Sequence, residues 1–289
     1  MATEPRYPYV AVDVPEEDAD SASVALFDLG ALGVEERDAT TMLRGADGRT
    51  TLVASFEREQ EARAAFEELP ATWSPRLDEV VGDAWRDEWK KHFEPFRICE
   101  GVIVRPPWRD CRPSAGERVI ELEPGRAFGT GLHETTSLIA EVLALHVGDL
   151  RGSPVLDVGT GSGILALVAI ALGATLARAI DVDPDAVLVT RENAERNGLA
   201  SRIHADDAPI GAIVESYRNV VANIDARTLV ELAPLLVQRV AAGGRLVLSG
   251  ILTPEAAPAQ LDDVKKAYAA LQLEEVRRKG EWIAIALRA

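Results

Sequence analysis

The chain has 289 residues, 47% of them hydrophobic and 27% charged, with a mean hydropathy near zero, which excludes a wholly disordered chain, a collagen and a coiled rod. At roughly 150 residues per domain, the length predicts two domains, each able to bury a core. The formal net charge is −16, with −12 on residues 1–83 and −4 on 84–289, so a broad nucleic-acid-binding face is disfavoured and a basic partner is favoured.

The N-terminus, MATEPRYPYV, lacks a basic segment followed by an apolar one, so no secretory signal is expected. Val10, Val12 and Val14 alternate as in a half-buried strand. After an acidic turn, Ser21 reads as the N-cap of a helix running through Leu26, Phe27 and Leu29 and stopping at Gly33. Strands at 34–41 and 50–56 flank the turn 45–48 and read as a hairpin. A second helix follows, with Ala62, Phe66 and Leu69 on one face, and residues 73–81 supply a last strand. The order β-α-β-β-α-β is that of a small ferredoxin-like α+β domain over residues 1–83.

Residues 84–97 place Trp85, Trp89 and Phe93 on one helical stripe, which reads as a connecting helix packed on a domain. Short strands are expected at 99–106 and 119–123. Cys99 and Cys111 stand without a CxxC pattern or a nearby His pair, so they read as reduced thiols of a cytoplasmic protein.

From Pro154 the pattern becomes α/β. Strands at 154–158, 178–182, 202–204, 219–224 and 244–249 alternate with helices near 162–173, 185–198, 226–241 and 256–270, which implies a parallel sheet covered on both faces. The charge-free stretch 158–177 is interrupted by four glycines, and its unbroken apolar core is too short for a bilayer, which needs about 20 residues. Segments 273–278 and 282–287 are joined by only Lys279, Gly280 and Glu281, so they must form an antiparallel hairpin at the sheet's edge.

Four motifs carry chemistry. In VLDVGTGSGIL (155–165) a strand enters a glycine turn, Gly159, Gly161 and Gly163, and then a helix, so backbone can approach a ligand at the helix N-terminus. Ile164 stands where a GxGxxG dinucleotide fingerprint requires Gly, and DxGxGxG looks like the nucleotide-binding loop of class I S-adenosylmethionine methyltransferases. Asp181, at the end of the next strand, is placed to accept hydrogen bonds from ribose hydroxyls, whereas Asp183-Pro184 reads as a helix cap. Asn223 ends the fourth strand at the sheet's carboxyl edge, where its side-chain oxygen could accept from a substrate amine; a plain turn is the alternative. Residues 123–136, EPGRAFGTGLHETT, form a glycine-rich loop suited to cover a small molecule. Within it His133 could accept a proton or simply pack. No Ser/His/Asp or metal-ligand cluster competes with these groups.

The ordered runs PGRAFGTGLHETT, LDVGTGSGIL, IDVDPDA, RENAERNG, ANI, LAPLL and LVLSGIL, with AWRDEWKKHFEPFRI before them, resemble the PrmA family, the bacterial methyltransferases of ribosomal protein L11. The likeness covers nearly the whole chain. It implies a Rossmann-like methyltransferase domain over 98–289 that binds S-adenosyl-L-methionine, an N-terminal substrate-recognition domain, and methylation of lysine side chains and an α-amine. By position it implies cofactor contacts at Thr136, Gly159, Asp181 and Asn223, with Gly161 and Gly163 completing the turn. The chain departs from the family pattern at Glu134, where Pro is common, and at 224–229, where an apolar, Pro-containing stretch is usual. Lysine methylation of another protein, a nicotinamide dehydrogenase and an inactive cofactor-binding module are the competing readings. The partner expected is a basic ribosomal protein met through the acidic N-terminal domain, with no nucleic acid, no membrane and a monomeric enzyme.

Overall fold

The computed structural model describes residues 6–15, 18–31, 33–37, 49–56, 58–81, 93–123 and 133–289. The chain divides into two compact units, Met1–Phe93 and Glu94–Ala289.

The first unit runs β1 (Arg6–Pro15), α1 (Ala19–Asp28), β2 (Gly33–Arg37), β3 (Arg49–Ser55), α2 (Glu59–Glu68) and β4 (Arg76–Val81). Its four strands pair antiparallel in the order β2-β3-β1-β4. Period-two alternation puts Val10, Val12 and Val14 of β1 with Leu52 and Ala54 of β3 on one face, where Leu26 of α1 and Ala62 of α2 close the core. Asp13, out of phase with the valines, accepts instead from Thr51 Oγ1 at 2.6 Å and from the Arg76 guanidinium.

Two local expectations are corrected here. Helix α1 begins at Ala19 behind Asp18, ahead of the predicted Ser21 cap. It also stops before Gly30, whose φ of +94° turns the chain so that Ala31 N–H donates to Leu26 O at 3.1 Å, and Gly33 opens β2 instead. The predicted face of α2 does meet the core: Ala62 and Leu69 are buried in it, Phe66 packs against it, and Ala65 adds a further buried methyl group. The turn at 45–48, residues 82–92 of the expected connecting segment and residues 124–132 of the expected covering loop lie outside the described residues.

The second unit opens with β5 (Phe96–Cys99), β6 (Val102–Arg105) and β7 (Arg118–Glu121), a small sheet in which β6 pairs antiparallel with β5 and parallel with β7. The single strand expected at 99–106 is two strands, because Gly101 turns the chain at φ +80°. Cys99 and Cys111 are both free thiols, and burial pushes the Cys99 thiol up to about 12, which keeps it protonated. Then follow α3 (Glu134–Leu145), α4 (Val147–Leu150), β8 (Val155–Val158), α5 (Ile164–Ala171), β9 (Ala177–Ile180), α6 (Pro184–Arg196), β10 (Ile203–Asp206) and β11 (Tyr217–Asn223). The chain ends with α7 (Ala226–Arg239), β12 (Val240–Leu252), α8 (Gln260–Ala267), β13 (Gln272–Lys279) and β14 (Trp282–Arg288).

These strands form a seven-stranded mixed sheet in the order β10-β9-β8-β11-β12-β14-β13. The five strands from β8 to β12 are parallel, and the C-terminal hairpin joins antiparallel with β14 inside and β13 at the edge. Alternate residues feed two cores. Val155, Val221 and Val247 pack against α3, α5 and α6, whereas Leu156, Val220 and Leu246 pack against α7 and α8. The charge-free stretch becomes β8, the glycine turn and α5, whose residues Ile164 through Ile170 are all buried. Each fully buried Val, Leu or Ile side chain contributes about 1.5–3 kcal/mol, so α5 is held by packing and not by surface pairs. No helix among the described residues is long and apolar enough to cross a membrane.

At the N-terminal end of the parallel strands, Arg245 is 2% exposed and is held by Asp149 (2.7 Å) and Glu274 (3.0 Å), both of which also take Arg288. The Arg245 hydrogen bond in particular keeps the Asp149 carboxyl below its ordinary range. This network pins the hairpin to the sheet at one end. The other end, where β14 starts at Trp282, faces the carboxyl edge of the parallel strands.

Candidate functional site

The sheet order reverses between β8 and β11, and in such folds ligands sit outside the carboxyl ends of the strands at that switch point. A cavity of about 630 Å³ opens there, and Gly159, Gly161, Asp181, Asn223, Thr136 and His133 all line it. Gly163 stands behind the wall as the residue preceding α5, at φ +80°.

The glycine turn is shaped by backbone needs. Gly159, Gly161 and Gly163 take φ of +72°, +56° and +80°, the left-handed region that side chains disfavour. At Gly159 a Cβ would also lie 2.3 Å from Ile224 Cγ2. Asp157, fully buried one residue before the end of β8, anchors the turn: its Oδ2 accepts from Thr160 Oγ1 at 2.7 Å and from Ala166 N–H at 3.2 Å. Two α6 residues brace the turn from behind. Thr190 Oγ1 donates to Gly161 O (3.0 Å) and Asn193 Nδ2 to Ser162 O (2.9 Å). The sequence reading missed both, although buried polar residues three apart on one helix face are a signal for a backbone partner.

Burial pushes the Asp157 carboxyl up to about 7, and the nearby Asp181 charge adds to the shift. Its Oδ1 finds no hydrogen-bond partner among the described residues. The folded carboxyl thus holds its proton more tightly than an unfolded one near 3.9, so the stability it contributes is complete below about pH 4 and is lost as pH rises through 7. Thermal or denaturant melts of wild type and Asp157→Asn are expected to differ by a gap that changes by up to about 1.4 kcal/mol per pH unit between about pH 4 and 7, moving in the variant's favour. A gap independent of pH would show that Asp157 is ionised throughout.

Asp181 follows β9, and its carboxylate is oriented by two backbone donors, Gly161 N–H to Oδ2 (2.9 Å) and Asp183 N–H to Oδ1 (3.1 Å). Each oxygen keeps a further lone pair for a ligand hydroxyl. Asp183 caps α6 through Asp185 N–H at 2.9 Å with Pro184 as the first helical residue, as its sequence context predicts. Beside Asp181 the wall is apolar: Ile180, Val182, Pro209 and Ile210. Val182 is 88% exposed, a large aliphatic surface suited to cover a flat ring.

The opposite wall is built by β11 and α3. Asn223 Nδ2 donates to the buried Thr136 Oγ1 at 3.2 Å, which leaves the Asn223 carbonyl oxygen as the acceptor. His133 caps α3: its Nδ1 accepts from Thr135 N–H and lies 2.8 Å from Thr135 Oγ1, while its ring meets Trp282 at 5.0 Å edge to face. These contacts give His133 a capping and packing role at the start of α3. Asp225, part of the departure at 224–229, caps α7 through Thr228 N–H at 3.0 Å. At Asp225, therefore, that departure has a structural explanation in helix capping. Gly250, which the sequence offers only within the run LVLSGIL and without a site role, also lines the cavity. At φ +89° its Cβ would fall 2.0 Å from Ile224 O, so the corner after Asn223 can pass only over a glycine.

A carboxylate at a strand end, a glycine turn at a helix N-terminus and an apolar slot are the donor set a ribonucleoside with a charged tail requires. Comparison with known proteins decides which one. The family described as Ribosomal protein L11 methyltransferase (PrmA) matches residues 6–289. The chain belongs to this family. A ribosomal protein L11 methyltransferase of Sorangium cellulosum is 55% identical over 273 residues, 93% of this chain and 84% of the relative. One of Pelobacter propionicus is 37% identical over 306 aligned residues, covering 98% of this chain and 97% of its own length. Among solved structures, a ribosomal protein L11 methylase from Lactobacillus delbrueckii subsp. bulgaricus superposes with a TM-score of 0.60 at 32% identity, covering 68% of this chain and 98% of that one. As a member of the ribosomal protein L11 methyltransferase family, the chain is an S-adenosylmethionine-dependent methyltransferase, which removes the nicotinamide reading.

Proposed function

We propose that this enzyme methylates amino groups, lysine side chains and an α-amine, of ribosomal protein L11, with the 94–289 unit doing the chemistry and the N-terminal unit reading the protein. The observation that carries the reading is the Asn223–Thr136 hydrogen bond in the wall of the cavity that Asp181 and the glycine turn also line. When bound, S-adenosylmethionine supplies a methyl group on a sulfonium, open to in-line attack by a neutral amine. Asp181 accepts from the ribose hydroxyls, Gly159 and Gly161 let backbone approach, and Ile180, Val182 and Ile210 cover the apolar ring. Asn223 Oδ1 accepts an N–H of the incoming amine, and Thr136 fixes which end of the amide it presents. Such alignment supplies most of what a displacement without a covalent intermediate needs.

The strand order β2-β3-β1-β4 with two helices supports a ferredoxin-like fold for the N-terminal unit. The charge of −12 on residues 1–83 suits a lysine-rich ribosomal protein, and a monomer in the cytoplasm suits that substrate. Incubating purified ribosomal proteins with methyl-labelled S-adenosylmethionine and mapping the label by mass spectrometry is expected to mark L11 amines. A chain truncated to residues 94–289 is expected to bind S-adenosylmethionine with unchanged affinity and to lose L11 methylation. Full activity of that truncated chain would sink the reader role, and label on another protein alone would sink the substrate.

A further inference from the structure

Helix α3 brings Thr136 to Asn223, yet its first turn is gripped by a segment that lies more than 140 residues away in the chain. Lys279, the last residue of β13, donates from Nζ to Ser137 Oγ at 2.9 Å and sits 3.5 Å from Glu141 Oε1, one turn further along α3. Ser137 Oγ in turn donates to Glu134 O at 2.9 Å, which closes the first turn. Across the hairpin, Lys279 pairs with Trp282, whose ring meets His133, the cap of the same turn, at 5.0 Å. The turn between them also comes close, since a Cβ on Gly280 would lie 3.8 Å from Glu134 Oε1. Arg277, two residues back on β13, reaches Glu141 at 3.3 Å and Glu275 at 2.6 Å, and His146 at the far end of α3 lies 3.5 Å from Glu275. The hairpin tip is itself tied down, because Thr253 N–H donates to Glu281 O at 2.8 Å.

We propose that the β13–β14 hairpin is a positioning clamp for methyl transfer, in which Lys279 and Trp282 hold the first turn of α3 where Thr136 meets Asn223. Lys279 does not line the cavity and touches no reacting atom; it acts through Ser137, the residue next to Thr136. A slack first turn would let the Thr136 hydroxyl drift from the Asn223 amide and leave the acceptor oxygen unaligned, while the cofactor groups on β8 and β9 stay in place. The clamp therefore predicts a loss in kcat larger than any loss in S-adenosylmethionine affinity, and it rests on the reading of Asn223 as the orienting acceptor.

The test uses full-length Lys279→Met, Lys279→Arg, Ser137→Ala and the Lys279→Met/Ser137→Ala double variant, with L11 and S-adenosylmethionine as substrates. In Lys279→Met, kcat is expected to fall about 10-fold with the KM for S-adenosylmethionine within about twofold of wild type, as a small misplacement of a positioning group does. Lys279→Arg, which keeps a cationic donor, should restore most of it. The double variant should lose less than the product of the two single losses, because the Lys279–Ser137 bond is common to both while Ser137 also holds Glu134 O and Lys279 also faces Glu141. Amide exchange of residues 133–140, read by mass spectrometry without any turnover, should speed about 10-fold in Lys279→Met while residues 184–196 stay protected. Unchanged exchange in 133–140, or multiplying effects in the double variant, would overturn the clamp. Undiminished turnover in Asn223→Ala would instead overturn the reading of the acceptor, and the exchange result would still judge whether the hairpin holds α3.

Discussion

Replacing Asp181 by alanine is expected to weaken S-adenosylmethionine binding about 100-fold while the protein stays folded. Hydrogen bonds to a charged group contribute about 1.5–3 kcal/mol each, and each 1.4 kcal/mol is tenfold in affinity. Loss of the carboxylate removes two such bonds to the ribose, partly replaced by water, so about 3 kcal/mol is the expected net effect. It also removes the acceptor of Gly161 N–H and Asp183 N–H, so the glycine turn loses the group that orients it. Because Asp181 lies at the partly exposed end of β9 and outside both cores, the fold does not depend on it. Asp181→Asn keeps one acceptor oxygen without the charge and should fall between wild type and alanine. Calorimetric titration of the three proteins checks the order, and equal affinities would remove Asp181 from the ribose site.

Much of this site was legible because its residues announce themselves locally. A strand, three glycines and a helix within eleven residues leave few alternatives, and a three-residue link between two apolar segments forces an antiparallel hairpin. Asp183-Pro184 was legible as a cap for the same reason: an acceptor side chain before a proline, followed by an apolar-periodic run, suits the start of a helix. What escaped was contact between segments distant in the chain. Gly250 is needed because the backbone of Ile224 crosses it, and Thr190 and Asn193 are polar because the glycine turn offers them carbonyls. None of these partners lies within 25 residues of its contact. Gly30 and Gly33 show a subtler limit. Both fit a helix stop, and only the left-handed turn at Gly30, with Gly33 already paired to Ser55, distinguishes them.

Asn223→Ala is expected to lower kcat about 100-fold with a much smaller change in S-adenosylmethionine affinity, since aligning a nucleophile accounts for several kcal/mol of a displacement barrier. The choice of an amide here follows from the acid–base state of the substrate. A lysine near pKa 10.4 is neutral at pH 7 only about once in 2,500, a cost of roughly 4.6 kcal/mol. Desolvation and a nearby sulfonium both favour the neutral amine, and an Asn oxygen orients it without undoing that effect. A carboxylate at the same position would attract the ammonium form and raise its pKa. Asn223→Asp is therefore expected to retain the hydrogen bond yet turn over more slowly than wild type at pH 7, with the ascending limb of its kcat–pH profile displaced to higher pH. The hydroxyl of Thr136, which accepts from Asn223 Nδ2 in the wild type, can turn to donate to either oxygen of the new side chain, so the difference between the two variants separates charge from position. If Asn223→Asp matched wild type at every pH, the amine would be losing its proton to another group before it reaches Asn223, and the acceptor role would have to be given up.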